Sequence, residues 1–147
     1  MKDAAFKSLC HLIAPNRIAS RGEMVGPGYK PDITVDDGGS SLLYILESEQ
    51  KTDRKAFLGD LIKAEFHAER TRSRPTLVIV MEERSNTTVR QITDHLRPYV
   101  HWLRDLKGGA LCLNRVHVLA DRDYLASIDC GDALGSPAFW HRGSEVI

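Results

Sequence analysis

Two runs of apolar residues constrain the fold of this chain more than any other feature. Residues 42–46 (LLYIL) and Thr76–Met81 (TLVIVM) lack the alternation of polar and apolar side chains that a half-exposed strand shows. Runs of this kind are typical of strands that are covered on both faces. Because a long segment with a helical pattern lies between them, they predict two central parallel strands joined by a crossover helix.

The crossover helix is marked at both of its ends and along one face. Asp53 is a suitable N-cap, and Pro75 closes the connection to the next strand. Between them the helix runs to about residue 72, with a wide apolar stripe that we expect to lie on the sheet. Three further helices are predicted, over residues 3–14, over 87–107 with a kink at Pro98, and over 121–128.

A hairpin is predicted before the crossover helix. The turn residues DDGGS separate a strand over residues 33–35 from a strand over 42–50, so the two strands should pair antiparallel. Residues 115–120 give a last strand, and a short edge strand is expected near residues 23–25. The predicted order is α-β-β-β-α-β, followed by α-β-α.

The composition is that of an ordinary globular domain. With 147 residues, 42% hydrophobic and 27% charged, the chain fits one domain over 1–147, with a core at about 3–120 and a C-terminal helix and tail at 121–147. It has no apolar run of membrane-spanning length, and its N-terminus is too polar for a signal peptide, so a cytoplasmic location is expected. The three cysteines lack the spacing of a disulfide framework or a zinc site.

The balance of charge bears on possible nucleic-acid partners. Lys plus Arg and Asp plus Glu number 20 each, so the chain has no net positive charge that would indicate binding to a polyanion. Such binding would have to depend on a local patch of cations. The densest patch lies on and after the crossover helix, and its candidate nucleic-acid-binding residues are Arg54, Lys55, Arg70, Arg72 and Arg74. The alternative is an ordinary solvated helix face, with cations favoured near its C-terminal end.

The second hairpin strand ends in charged residues. Side chains alternate along a strand, so Glu47, Glu49 and Lys51 should share one face where the buried strand emerges. Antiparallel pairing brings Asp32, at the start of the first hairpin strand, close to the same point. The carboxylates of Asp32 and Glu49 there make an oxygen site suited to Mg²⁺ or Mn²⁺. The backbone carbonyl of Gln50 is a third candidate ligand.

Pro31-Asp32 followed by Glu49-Gln50-Lys51 resembles the motif of the PD-(D/E)XK nuclease superfamily, which has the restriction-endonuclease-like fold. The interval between Asp32 and Glu49 falls within the range usual for that family. The resemblance implies an α/β fold with an αβββαβ core, whose mixed central sheet is flanked by helices. It also implies metal-dependent hydrolysis of phosphodiester bonds, usually in DNA. Asp32 and Glu49 would hold Mg²⁺, with Mn²⁺ as a substitute, and Lys51 would position the attacking water.

Three further acids are candidate accessory residues. Glu47 could replace Asp32 in an acid pair with Glu49, or act as an additional ligand or as a partner of the lysine. Glu23 loosely resembles the acid that some family members carry before Pro-Asp. Glu65 falls within the apolar stripe of the crossover helix, where an unpaired buried charge would be costly, so it should face a cleft or a partner.

Other interpretations stay open at this point. The chain could be a nuclease-like domain that binds nucleic acid or a protein without cutting, or a small α/β assembly protein whose polar strand end is merely solvated. The chain is also short for an enzyme that recognises a sequence or cuts both strands. Such an activity would need a homodimer or a partner protein.

Overall fold

The computed structural model describes residues 1–39, 41–50 and 52–147, which form a mixed α/β structure built on one six-stranded sheet. The strands are β1 (Ile18–Arg21), β2 (Ile33–Asp36), β3 (Leu42–Glu49), β4 (Thr76–Met81), β5 (Arg115–Ala120) and β6 (Ser144–Glu145). They lie in the sheet in chain order. The pair β3–β4 and the pair β4–β5 are parallel, whereas the other neighbours are antiparallel.

Helices cover both faces of this sheet. The two long ones, α2 (Arg54–Thr71) and α3 (Val89–Leu106), provide the parallel crossovers that follow β3 and β4, as their apolar stripes predicted. Their starts are fixed by side-chain caps, since Asp53 accepts a hydrogen bond from the Lys55 N–H, and Thr88 forms a capping box with Gln91. The helices are α1 (Asp3–Ser8), α2 (Arg54–Thr71), α3 (Val89–Leu106), α4 (Asp121–Cys130) and α5 (Pro137–Trp140).

The sheet separates two apolar cores. On one face α2 and α3 pack over alternate residues of the central strands, with Ile45 and Ile79 fully buried. On the other face Phe6 of α1, Tyr124 of α4 and Phe139 of α5 cover the intervening residues. The central strands are therefore apolar throughout because each of their faces meets a helix layer, as the uninterrupted runs predicted.

Two predicted boundaries were wrong. Helix α1 ends at Ser8 and not at residue 14, because His11 turns back to hydrogen-bond with the Phe6 carbonyl and the Tyr124 hydroxyl. The edge strand lies at Ile18–Arg21, and residues 23–25 lead instead into a tight turn. The C-terminal segment docks on the core, since β6 extends the sheet and Phe139 is 1% exposed. Within the described ranges no helix has the length and apolar character that a membrane span needs.

Candidate functional site

The hairpin brings Asp32 and Glu47 together at one end of the sheet. Ile33 pairs with Leu46, so Asp32 lies beside Glu47 where β3 emerges from the core. The backbone N–H of Asp32 donates to Glu47 Oε2 over 3.1 Å, and the N–H of Ser48 donates to Asp32 Oδ2 over 2.9 Å. Both carboxyl groups are thus held by the backbone of the hairpin, in a region where only about a tenth of each residue is exposed.

Glu47 is buried on the side of the sheet that faces α2. Burial raises the pKa of its carboxyl to about 7, and the charges of Asp32 and Glu49 act in the same direction. The Asp32 N–H and the Tyr29 hydroxyl partly oppose this rise. Tyr29 approaches Glu47 without full hydrogen-bond geometry, and its own pKa is raised by burial. Glu47 therefore lies in a crowded anionic site and not at a solvated strand end.

Asp60 of α2 belongs to the same site, although no sequence pattern singled it out. Burial and the charges of Glu47 and Glu49 raise its pKa to about 9, so it carries a proton at neutral pH. Its Oδ2 atom finds no hydrogen-bond partner among the described residues. We call Asp32, Glu47, Glu49 and Asp60 the acidic cluster.

Lys7 of α1 is a second contributor that the sequence did not indicate. Its Nζ lies 2.7 Å from Asp32 Oδ1, and the side chain remains one-third exposed. The hydrogen bond to Asp32 raises the pKa of Lys7, so the side chain stays cationic. Lys7 therefore supplies one positive charge at the rim of the acidic cluster.

The remaining motif residues follow β3. Glu49 is the last residue of β3 and interacts with Asp60, while its carbonyl accepts from the Glu82 N–H. The Gln50 side chain donates to Asp3, and the role of its carbonyl as a ligand stays a prediction. Lys51, the predicted water-positioning residue, lies outside the described residues.

Two of the three accessory candidates lie elsewhere. Glu23 is exposed and lines a shallow groove with Thr34 and His67. Glu65 is buried on the far flank of α2, where it accepts hydrogen bonds from Lys107 and from the N–H groups of Cys112 and Leu113. The interpretation of Glu65 as a cleft residue is therefore replaced by its alternative, a carboxylate neutralised by a partner. Of the accessory acids, only Glu47 joins the acidic cluster.

The basic candidates divide into separate surfaces because α2 is about 27 Å long. Arg54 and Lys55, at its N-terminal end, line an open groove of about 580 Å³ with Arg84 and Asn86. This groove lies at the C-terminal ends of the parallel strands β3 and β4, and Glu49 is the last residue of β3. These two cations therefore lie near the acidic cluster.

The other three cations lie at the far end of α2. Arg70 covers the ring of Phe66 and lines a cavity on the α2 surface, whereas Arg74 lines a groove with Tyr44 and Asn114. Arg72 has a left-handed backbone at the helix C-cap. Arg70 and Arg74 therefore line different grooves, and binding of nucleic acid by these arginines stays a prediction.

The donor chemistry of the acidic cluster suits a hard cation, since carboxylate oxygens are the preferred ligands of Mg²⁺. Burial without enough compensating charge is what raises the pKa of Glu47 and Asp60. Across residues 1–39, 41–50 and 52–147, however, no three Asp, Glu, His or Cys side chains already form a metal-ligating group. Comparisons of the chain with protein-family models, curated proteins and solved structures give no match.

Proposed function

We propose that the chain is a metal-dependent nuclease that hydrolyses phosphodiester bonds in DNA, with the restriction-endonuclease-like core that its motif resembles. The observation that carries this proposal is the convergence of Asp32, Glu47, Glu49 and Asp60 at the emerging end of a central strand. Burial and mutual repulsion disfavour the charged forms of these carboxyl groups, and a bound cation would stabilise those charged forms. The order of α1, the strands β1 to β3, α2 and β4 agrees with the αβββαβ pattern.

Each residue has a distinct role in this proposal. Asp32 and Glu49 would hold Mg²⁺ or Mn²⁺, with the Gln50 carbonyl as a further ligand and Glu47 as an accessory one. When bound, such a metal activates a water molecule and stabilises charge on the phosphate. Lys51 would orient the attacking water. Arg54 and Lys55 would contact phosphates of the strand along the neighbouring groove.

The oligomeric state of the protein and its location in the cell stay predictions as well. A homodimer or a partner protein would supply the contacts that one short chain lacks, and the expected location is the cytoplasm. Both follow from the sequence alone.

The decisive experiment is cleavage of supercoiled, linear and single-stranded DNA with Mg²⁺ or Mn²⁺. Wild type should cut, and Asp32→Ala and Lys51→Ala, purified identically, should lose cleavage by two orders of magnitude or more, about the contribution of one catalytic group. Asp105→Asn removes an exposed acid of α3 and is the matched control, which should cut like wild type. Equal cleavage by wild type and both site variants would point to a contaminating nuclease and refute the proposal.

A second candidate function is favoured by one observation. The Lys7 ammonium already occupies Asp32 Oδ1, which is a predicted metal ligand. A nuclease-like domain that binds nucleic acid or protein without cutting would keep this ion pair in place of a metal. Folded wild-type protein that fails to bind Mg²⁺ or Mn²⁺ in calorimetry would favour this function over the nuclease.

A further inference from the structure

A cavity of about 250 Å³ lies on the surface of α2, next to the acidic cluster. One wall is the turn Gly26–Tyr29, in which Gly28 has the positive φ of 70° that the third residue of a type II turn requires. The other wall is α2. The Tyr29 side chain joins the two sites, because its ring lines the cavity and its hydroxyl approaches Glu47.

The α2 wall presents side chains at helical spacing. Lys63, Phe66, His67 and Arg70 lie on one face of the helix, where residues three and four apart are neighbours. Asp60 precedes Lys63 by one turn on the same face, and the Lys63 charge acts on its carboxyl. A ligand that fills the cavity would therefore lie along a row that leads directly to the acidic cluster.

The cavity combines an aromatic surface with positive charge. Phe66 is 54% exposed, and the Arg70 guanidinium lies 5.6 Å from its ring centroid. The Tyr29 and His67 rings form an edge-to-face pair between the turn wall and the α2 wall. Burial lowers the pKa of His67, so the positive charge of the cavity comes from Lys63 and Arg70.

We propose that this cavity binds one unpaired nucleotide of a DNA strand, with its base stacked on Phe66 and its phosphate between Lys63 and Arg70. Aromatic rings accept any base by stacking, and flanking cations neutralise the backbone. The inference rests on the proposed function, because the same strand would continue past Tyr29 to the acidic cluster.

The size of the cavity favours a single nucleotide over a duplex. Sites for drug-sized ligands measure about 300–1,000 Å³, so 250 Å³ holds little more than one base and its phosphate. A base paired within a duplex cannot present its face to Phe66 without leaving the stack. We therefore assign the cavity a preference for single-stranded DNA or for an unpaired strand end.

The test measures binding without cleavage. Fluorescence anisotropy in EDTA compares a labelled thymidine oligonucleotide of about ten nucleotides with a duplex of the same length. Wild type should prefer the single strand, and Phe66→Ala should weaken single-strand binding about 5-fold or more with little effect on the duplex. Trp102→Ala removes an equally exposed ring from α3 and is the matched control.

Charge variants give a second, independent readout. Lys63→Gln and Arg70→Gln should each lower the slope of log affinity against log salt by about 0.7 for the single strand. All of the changed side chains are exposed, so thermal melting should show folded variants. A Phe66→Ala variant that binds the single strand like wild type, with unchanged salt slopes in the charge variants, overturns the inference.

The same preparations separate this inference from the proposed function. Cleavage by wild type with Mg²⁺, together with unchanged binding by Phe66→Ala, would refute the nucleotide cavity and leave the nuclease standing. Binding that depends on Phe66, in a protein that neither binds metal nor cuts, would refute the nuclease and support the cavity as a single-strand site.

Discussion

Two buried acids on one helix have opposite electrostatic environments. Asp60 and Glu65 of α2 are 8% and 3% exposed, and they flank the apolar stripe of the helix about 140° apart around its axis. The pKa of Asp60 is raised to about 9 by burial and by neighbouring acids. The pKa of Glu65 is lowered despite its burial, because Lys107 and two backbone N–H groups stabilise its charge.

The difference teaches that the partners of a buried acid, and not its depth, indicate its role. Glu65 is satisfied within the fold, where it ties α2 to the segment between α3 and β5. Asp60 faces other acids and keeps an oxygen without a hydrogen-bond partner among the described residues. A buried carboxyl group among other acids, such as that of Asp60, destabilises the folded chain when it is charged. A bound cation would offset this loss of stability.

The largest expected effect is on stability. Glu65→Ala should lower the free energy of unfolding by about 2–4 kcal/mol, because it leaves two backbone N–H groups without their acceptor, while Lys107 keeps its contact with Glu69. Asp60→Asn should instead raise it at neutral pH, by up to about 4 kcal/mol, because the unfolded wild type gains stability by releasing the Asp60 proton and the variant cannot. Urea denaturation at pH 7 without metal makes the comparison, and equal losses would contradict it.

A bound cation should sharpen the contrast. Mg²⁺ at a hundred times its dissociation constant should raise the free energy of unfolding of wild type by about 2.7 kcal/mol. Glu49→Gln should abolish this gain, whereas the surface control Asp105→Asn should keep it. At one fixed Mg²⁺ concentration the gain should be larger at pH 8 than at pH 6. Metal binding must displace the protons of Glu47 and Asp60 and is therefore tighter at higher pH. Thermal melts with and without Mg²⁺ test this, and a gain that survives Glu49→Gln would place the metal elsewhere.

The proton on Asp60 predicts a dependence of stability on pH in the absence of metal. Between pH 7 and 8.5 the folded chain should hold about one proton more than the unfolded chain, whose Asp60 is ionised above pH 4. Stability should therefore fall as pH rises, by about 1.4 kcal/mol per pH unit, and Asp60→Asn should remove this slope.

Above pH 7, His117 and Glu47 contribute little to the dependence of stability on pH, so the slope reports mainly on Asp60. Burial lowers the pKa of His117 to about 4, so it is neutral there in the folded chain and nearly so in the unfolded one. Glu47, with a pKa of about 7, contributes its slope mainly at lower pH. Identical slopes for wild type and Asp60→Asn in urea titrations would show that Asp60 is ionised in the folded chain.

The smallest expected effect concerns Lys7. Its ion pair with Asp32 is partly exposed, so Lys7→Met should lower the free energy of unfolding by about 1 kcal/mol or less. The same change should tighten Mg²⁺ binding, because it removes a cation that competes for Asp32. Isothermal calorimetry measures the affinity, and weaker Mg²⁺ binding by Lys7→Met would mean that the lysine supports the metal.

Much of the sheet and its long helices could be predicted from local patterns. The apolar runs of β3 and β4 identify strands buried on both faces, and the caps Asp53 and Thr88 fix the starts of α2 and α3. The hairpin turn and strand alternation predicted that Asp32 meets the end of β3, with Glu49 as its expected partner, and the pairing places Asp32 beside Glu47. These features depend on neighbours in sequence, which is why the chain alone reveals them.

The missed features depend on contacts between distant segments. Lys7 reaches Asp32 only because α1 packs against the end of β3, and nothing near Lys7 in the sequence signals this. Asp60 did carry a signal, because it lies between Phe57 and Ala64 on the buried side of α2. The same reasoning was applied to Glu65, and only the tertiary structure shows which of the two acids has a cationic partner.

The order of the strands leaves the two margins of the sheet unequally protected against aggregation. At one margin the two-residue β6, with the pairing of Val116 to Val146 and Ile147, covers the apolar strand β5. At the other margin β1 is the outermost strand and carries Ile18, which is 54% exposed, between Arg17 and Arg21. Flanking charges of this kind discourage strand addition by another chain. Replacing both arginines by threonine would therefore turn this margin into the self-association site of the protein.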